Sequence, residues 1–268
     1  MPPIPRRLRR LCRLARVLLT TQYAYMLEYR AEIALWALSG VLPLIMLGLW
    51  QGSGRGLSGL SPTQLTRYFL AAFVVRQFTI VWVIHSFEED HIEGRLSPYL
   101  LQPLPPVWRY VSAHLAEQAT RLPFVVALAG AFLLVQPQAF ALPSPTALLL
   151  GVIATHLAFA LRFLLQFALT MLCFWSERAA ALERLLFIPY LYLSGLVAPL
   201  EAYPEGVKAV ARWTPFPYVL HMPAQLLAGG PVNATAGFAV MAAWAALLLP
   251  LTLLLWRAGL RRYGAMGA

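Results

Sequence analysis

A chain of 268 residues that is 60% hydrophobic and only 12% charged, with a mean hydropathy of +0.65, belongs to the membrane class rather than the soluble globular class. Its formal net charge of +10 comes from 21 Lys and Arg against 11 Asp and Glu. Those cations sit between apolar runs beside lipid headgroups, so the balance points to a lipid bilayer and away from nucleic acid. No length is left for a soluble catalytic domain, and Cys12 and Cys173 lack metal-ligand or redox spacing.

In the N-terminal stretch Leu8, Leu11, Ala15, Leu18, Leu19 and Gln22 recur at helical spacing, while Arg6, Arg9, Arg10, Arg13 and Arg16 fall largely elsewhere. That pattern predicts an amphipathic helix over 6–30 lying in an anionic leaflet. It does not read as a signal peptide, because Thr20, Thr21 and Gln22 interrupt its apolar core and no small-residue cleavage site follows. Runs long enough to cross about 30 Å of hydrocarbon then occur at 33–50, 68–86, 123–142, 146–175, 185–200 and 235–256. The fold expected is an all-α polytopic membrane protein, one transmembrane domain over 1–268 with six transmembrane helices. The fourth run is longer than the hydrocarbon needs; the fifth contains Pro189 and Gly195. Gln51 to Ser61 reads as a glycine-rich external linker without a motif.

Between the second and third runs, Glu88, Glu89, Asp90 and Glu93 place four of the eleven acidic residues within six positions. Gly94 can break the preceding helix, Ser97 can cap a new one, and Pro98 suits its first turn, so 97–102 reads as a short helix stopped by Pro103, Pro105 and Pro106. In the loop over 87–121 that helix would present Leu96, Tyr99, Leu100 and Leu101 to a partner at the membrane surface.

Counting Lys and Arg by loop fixes the orientation expected: fifteen fall on the side of the termini and this acidic loop, four on the other. The positive-inside rule therefore places both termini and the acidic loop in the cytoplasm, with Trp50, Trp175, Trp213 and Trp256 near interfaces. Arg76 and Arg162 fall inside the second and fourth runs, where a charge costs about 3 kcal/mol even on lenient scales. With Gln77 and Gln166 they form either a polar lining to a translocation pathway or structural ties between helices. No acidic residue is expected at their depth. The stretch over 201–234 is too apolar for a solvated loop and too broken by proline for a span, so it reads as an external reentrant segment. Pro199, Pro204, Trp213, Pro215 and Pro217 would build an external gate there, or merely a cap on the bundle.

Catalytic signatures are absent. The single lysine, Lys208, lies in Gly206-Val207-Lys208-Ala209 and not in a phosphate-binding loop, and there is no His-Glu-x-x-His or Gly-x-Ser-x-Gly pattern. No metal site, cofactor or catalytic residue is expected in this chain, and His85, His114, His156 and His221 read as packed or surface histidines.

Taken in order, a basic amphipathic helix, six spans, the acidic loop with Glu93-Gly94-Arg95-Leu96 and Leu100-Leu101-Gln102-Pro103-Leu104-Pro105, and a proline-rich reentrant stretch after Ser194-Gly195 resemble the permease subunits of bacterial ABC-2 type transporters. The resemblance covers nearly the whole chain. It implies an exporter half whose coupling helix maps to Leu96 through Leu101, with Glu88, Glu89, Asp90, Glu93, Gly94, Leu96, Tyr99, Leu100 and Leu101 meeting the motor. It also implies two ATP-binding-cassette ATPase subunits that hold ATP and Mg, a second copy or a paralogous permease, and residence in the bacterial inner (cytoplasmic) membrane. Two other classes are weighed: an ion-driven secondary transporter, which would need a mid-membrane Asp or Glu, and an intramembrane lipid-modifying enzyme using His85, Glu88 and His91.

Overall fold

The computed structural model describes residues 6–52, 60–176 and 179–266, which are helical throughout apart from short turns and loops, with no strand among them. Most of the glycine-rich linker, including Arg55, and Arg178 lie outside the described residues.

The amphipathic helix α1 (Arg6–Glu28) packs along α7 (Val107–Val135), where Met26 is buried with Ala113 and Ala116. The next two spans are each built from two helices. In the first, α2 (Arg30–Ser39) gives way to α3 (Leu42–Gly52) at Gly40, just ahead of Pro43. A Cβ on Gly40 would lie 2.5 Å from Nε2 of Gln77, so glycine here leaves room for the Gln77 amide of α4 (Pro62–Thr79) to reach α2. A capping box between Ser61 and Gln64, with Pro62 in the first turn, starts α4 six residues ahead of the run expected from Tyr68.

α4 stops at Ile80, whose ψ of 131° is extended, and α5 (Val83–Ile92) resumes after Trp82. The β-branched run Thr79, Ile80, Val81, Val83 and Ile84 is a poor helix former. Backbone groups freed at membrane depth must find partners, and α7 supplies them. Gln118 donates to the carbonyl of Phe78 at 2.8 Å, Arg121 donates to the carbonyl of Gln77 at 2.8 Å, and the Trp82 N–H donates to His114 at 3.0 Å. Thus α7 is a splint across a broken span. It begins at Val107, so the loop expected over 87–121 shrinks, and Arg121 is a buried helical residue rather than a loop cation.

After the short α6 (Leu96–Leu100), α7 and α8 (Pro145–Thr170) form long crossings, the latter running on as a 3-10 turn to Phe174. The last is α13 (Ala234–Met266). Among the described residues five stretches, Arg30–Gly52, Pro62–Ile92, Val107–Val135, Pro145–Phe174 and Ala234–Tyr263, are long and apolar enough to cross a membrane.

The expected fifth run, 185–200, takes a different form. Its helix α9 (Ala180–Leu193) has 14 residues, about 21 Å of rise and short of the roughly 20 residues a straight span needs. It nevertheless traverses the bundle: the N–H of Ala180 is held by Glu88 beneath α5, while the carbonyl of Val197 accepts from Trp50 at the end of α3. Non-helical chain completes the traverse, burying Leu196, Ala198 and Leu200. Beyond it, α10 (Glu205–Trp213) is amphipathic, and α11 (Phe216–Val219) leads into α12 (His221–Ala228), which is wedged against α4 and α8 with Met222, Ala224 and Leu226 in the core.

Candidate functional site

The acidic segment folds into an elbow. Gly94 adopts a φ of +73°, which ends α5 and turns the chain into α6. Ser97 does not cap α6, as the sequence suggests; its hydroxyl instead bonds Tyr263 near the end of α13 at 2.7 Å.

One cation organises the carboxylates. Arg95 donates to Asp90 at 2.7 Å, pairs with Glu89 at 2.9 Å and pairs also with Glu93. The hydrogen bonds it donates to Asp90 and Glu89 raise the pKa of its guanidinium above the ordinary value. The second oxygen of Asp90 accepts from Tyr110 at 2.8 Å, which ties the elbow to α7. Glu88 faces inward and accepts from the N–H of Ala180 at 2.7 Å, where it also complements the N-terminal end of α9. Beneath lies an aromatic cluster in which Phe87 meets Phe167, Phe174 and Trp256 at centroid distances of 5.7–6.3 Å.

The elbow therefore offers less free charge than its composition suggests. Of the residues expected on its outer face, Leu96 is fully buried and Asp90 nearly so, whereas Glu89 and Glu93 remain outward but paired. Leu100 is half-buried, Tyr99 lies beneath the Arg109 guanidinium at 4.0 Å, and Leu101 is 88% exposed. The exposed apolar tip consists of Leu101 with Ile92, a residue the sequence reading did not select.

The four polar residues placed in the pathway separate into two roles. Gln77, 1% exposed, donates to the carbonyl of Ala37 at 2.8 Å and ties α4 to α2. Arg162 donates to the Tyr190 hydroxyl at 3.0 Å, its guanidinium 4.4 Å from the Tyr190 ring centroid, and the Nε of Arg76 is buried without a hydrogen-bond partner among the described residues. Gln166 donates to Glu183 at 2.6 Å, and the other oxygen of Glu183 pairs with His85 at 3.0 Å. Arg162, Gln166, Glu183 and Tyr190 line one small cavity. Polar contacts thus run from His85 on α5 through Glu183 to Gln166 on α8, and the same small cavity brings Arg162 and Tyr190 beside them. Tyr190 and Glu183 were not legible beforehand, because their role depends on how α9 crosses α4 and α8.

The expectation that no carboxylate lies at this depth is also corrected: Glu117 is buried on α7, paired with Arg121 and accepting from the Trp82 indole. His114, Glu117, Gln118 and Arg121 share one helical face, and their three- and four-residue spacing was the available signal.

At the opposite end Tyr68 donates to the carbonyl of Gly195 at 2.7 Å and meets His221 at 3.1 Å. His221 lies 3.4 Å from Glu201, which also accepts from Gln225 at 2.9 Å. Burial pushes the pKa of Glu201 up, but His221 outweighs it and holds the carboxyl below its ordinary value. Pro199, Pro215 and Pro217 are buried, while Pro204 and Trp213 are exposed, so the residues expected in an external gate divide between a packed plug and a surface rim.

Among the described residues no group of His, Cys, Asp and Glu could hold a metal ion. Comparison with curated proteins finds no match. Residues 32–267, covering every long span and the elbow, match the ABC-2 family transporter proteins. The chain is therefore a membrane permease of an ABC-type transporter and belongs to the ABC-2 family.

Proposed function

We propose that this permease is half of the membrane part of an ATP-driven exporter in a bacterial inner membrane, with both termini and the elbow cytoplasmic. Two ATPase subunits would dock on the elbow, and a second copy or a sister permease would complete the pathway. The carrying observation is mechanical: Arg95 binds the elbow's carboxylates into one unit, and that unit is attached to the rest of its span through the break at Ile80 to Trp82. A push on Leu101 and Ile92 would swing α5 about this break. Glu88 and His85, both on α5, hold Ala180 and Glu183 of α9, so the swing would reach Tyr190 and release or regroup Arg76 and Arg162. Rigid elements with two discrete arrangements are what coupling between distant sites requires. The arginines and the plug around His221 then serve as inner and outer parts of one alternating-access route.

Reconstitution with the ATPase partner tests this. Ile92→Asp with Leu101→Asp should leave the permease folded and inserted but lower transport and ATPase coupling by about tenfold or more, because two charges replace an apolar contact of a kind worth about 1–2 kcal/mol per side chain. Unimpaired coupling in that variant refutes the contact. Transport that follows an ion gradient with no ATPase present would favour the secondary-transporter reading, for which Glu117 and Glu183 supply the carboxylates.

A further inference from the structure

Between α1, α2, α5 and α7 an open cleft of about 1000 Å³ runs over the break in the second span, with Ile80, Val81 and Trp82 in its wall. Its charge runs against that of the chain. Five of the eleven acidic residues line it, Glu32, Glu89, Asp90, Glu117 and Glu183, against three of the 21 cations, Arg95, Arg109 and Arg121. Those cations are already engaged: Arg95 by Glu89 and Asp90, Arg121 by Glu117, and Arg109 over the Tyr99 ring. Glu183 is paired with His85 at 3.0 Å, whereas among the described residues Glu32 meets no cation in the cleft wall and accepts only from the Trp36 indole at 3.3 Å. The wall is also aromatic, with Tyr25 and Tyr29 from the end of α1, Trp36 one turn along from Glu32, and Trp82 at the break. A carboxylate beside several ring faces is the arrangement that holds an organic cation. At the floor Arg121 is 2% exposed, and its Nε–H has no acceptor. A buried donor without a partner costs about 1–3 kcal/mol, and a ligand oxygen would satisfy it.

We propose that this cleft binds an amphipathic organic cation: an alkylammonium or arylphosphonium centre against Glu32 and Trp36, an apolar body along Trp82, and, where the ligand has one, an oxygen acceptor toward Arg121. Such chemistry comes either from a free amphiphile or from an amine-bearing lipid headgroup. The inference rests on the reading of the chain as a transport subunit, for which the cleft would be a loading site. Its position explains how cargo could be sensed, since a ligand wedged against Ile80 to Trp82 biases the joint on which the elbow turns.

The test is equilibrium binding of radiolabelled tetraphenylphosphonium to the full-length permease in phosphatidylglycerol nanodiscs, without any ATPase. Saturable binding at one site is expected, with affinity lowered about fivefold by Glu32→Gln and by Trp36→Ala, and unchanged by Glu205→Gln at the far end. Neutral triphenylphosphine oxide should compete at least about tenfold more weakly. Absence of saturable binding, or binding indifferent to both cleft variants while they melt like the parent, overturns the proposal. Repeating the measurement with phosphatidylethanolamine in the disc separates the sources: competition by the lipid assigns the site to a headgroup amine, and no competition assigns it to a free amphiphile. Both results uphold an organic-cation site. Because no nucleotide is involved, failure here leaves the exporter reading intact; binding without stimulation of a reconstituted ATPase would instead count against that reading.

Discussion

Arg121 shows how a single residue changes meaning between sequence and structure. As a letter it ends a charged loop; in the fold it sits on α7, pairs with Glu117 and covers the Gln77 carbonyl left open by the break in the second span. Arg121→Leu should lower stability by about 3–5 kcal/mol, because it strands a buried carboxylate as well as a carbonyl. Adding Glu117→Leu should recover more than half of that loss, since removing both charges of a buried pair is far less damaging than removing one. Thermal unfolding of the purified variants in one detergent measures both; a double variant as unstable as the single would show that the ion pair is not what Arg121 is for. Gln77, by contrast, reads in the sequence as a polar mid-span residue, and its hydrogen bond to the Ala37 carbonyl at 2.8 Å makes it a tie between α4 and α2.

At the scale of elements, the sequence yields what periodicity and punctuation encode. The helical first segment, the apolar character of the long helices and the turn at Gly94 appear where hydropathy and glycine placed them, whereas helix bounds shift: α4 starts at Pro62, α7 at Val107, and the fifth run is a 14-residue helix. What was hidden depends on partners distant in sequence. A β-branched run permits the break at Ile80, but only the side chains of His114, Gln118 and Arg121 about 40 positions away make it tolerable. Similarly, the four clustered acids predicted a charged handle, whereas Arg95 gathers three of them and Glu88 turns to α9. The elbow's geometry leads to a prediction at the same scale. No atom crowds a Cβ at Gly94, so Gly94→Ala tests conformation alone: holding alanine at a φ of +73° costs about 1–2 kcal/mol. Hydrogen exchange over Glu88 to Leu101 should quicken by about tenfold in this variant, while exchange in α8 stays as in the parent. Equal exchange in both proteins would mean that the turn does not hold the elbow in register.

For the whole molecule, contacts settle a question that length could not. Among the described residues five stretches are long enough to span unaided, which alone would leave α1 and the end of α13 on opposite faces. Yet Phe174 at the end of α8 and Ser97 of α6 both meet Tyr263 near the end of α13, so the elbow, the end of the fourth span and the end of the last span share one face. The chain must therefore travel from that face to the start of α13 between 175 and 233, and the short α9 with the buried, irregular chain that leads to Leu200 is the path that does it. With the five long stretches this makes a further passage through the bundle that is only partly helical, where the sequence predicts a sixth full transmembrane helix. Orientation relative to the cell is then a single binary choice, for which the positive-inside rule leads us to expect the Arg-rich elbow face in the cytoplasm. In a Cys12→Ser, Cys173→Ala background, Gln102→Cys at the elbow and Arg261→Cys near the end of α13 should react with an impermeant maleimide only after the membrane is opened. Glu205→Cys on α10 should react in intact cells. If Gln102→Cys and Arg261→Cys label from opposite sides, α9 does not cross and the path from elbow to arginines is broken. If both label from outside, the elbow cannot meet a cytoplasmic ATPase, and the exporter mechanism fails with the fold intact.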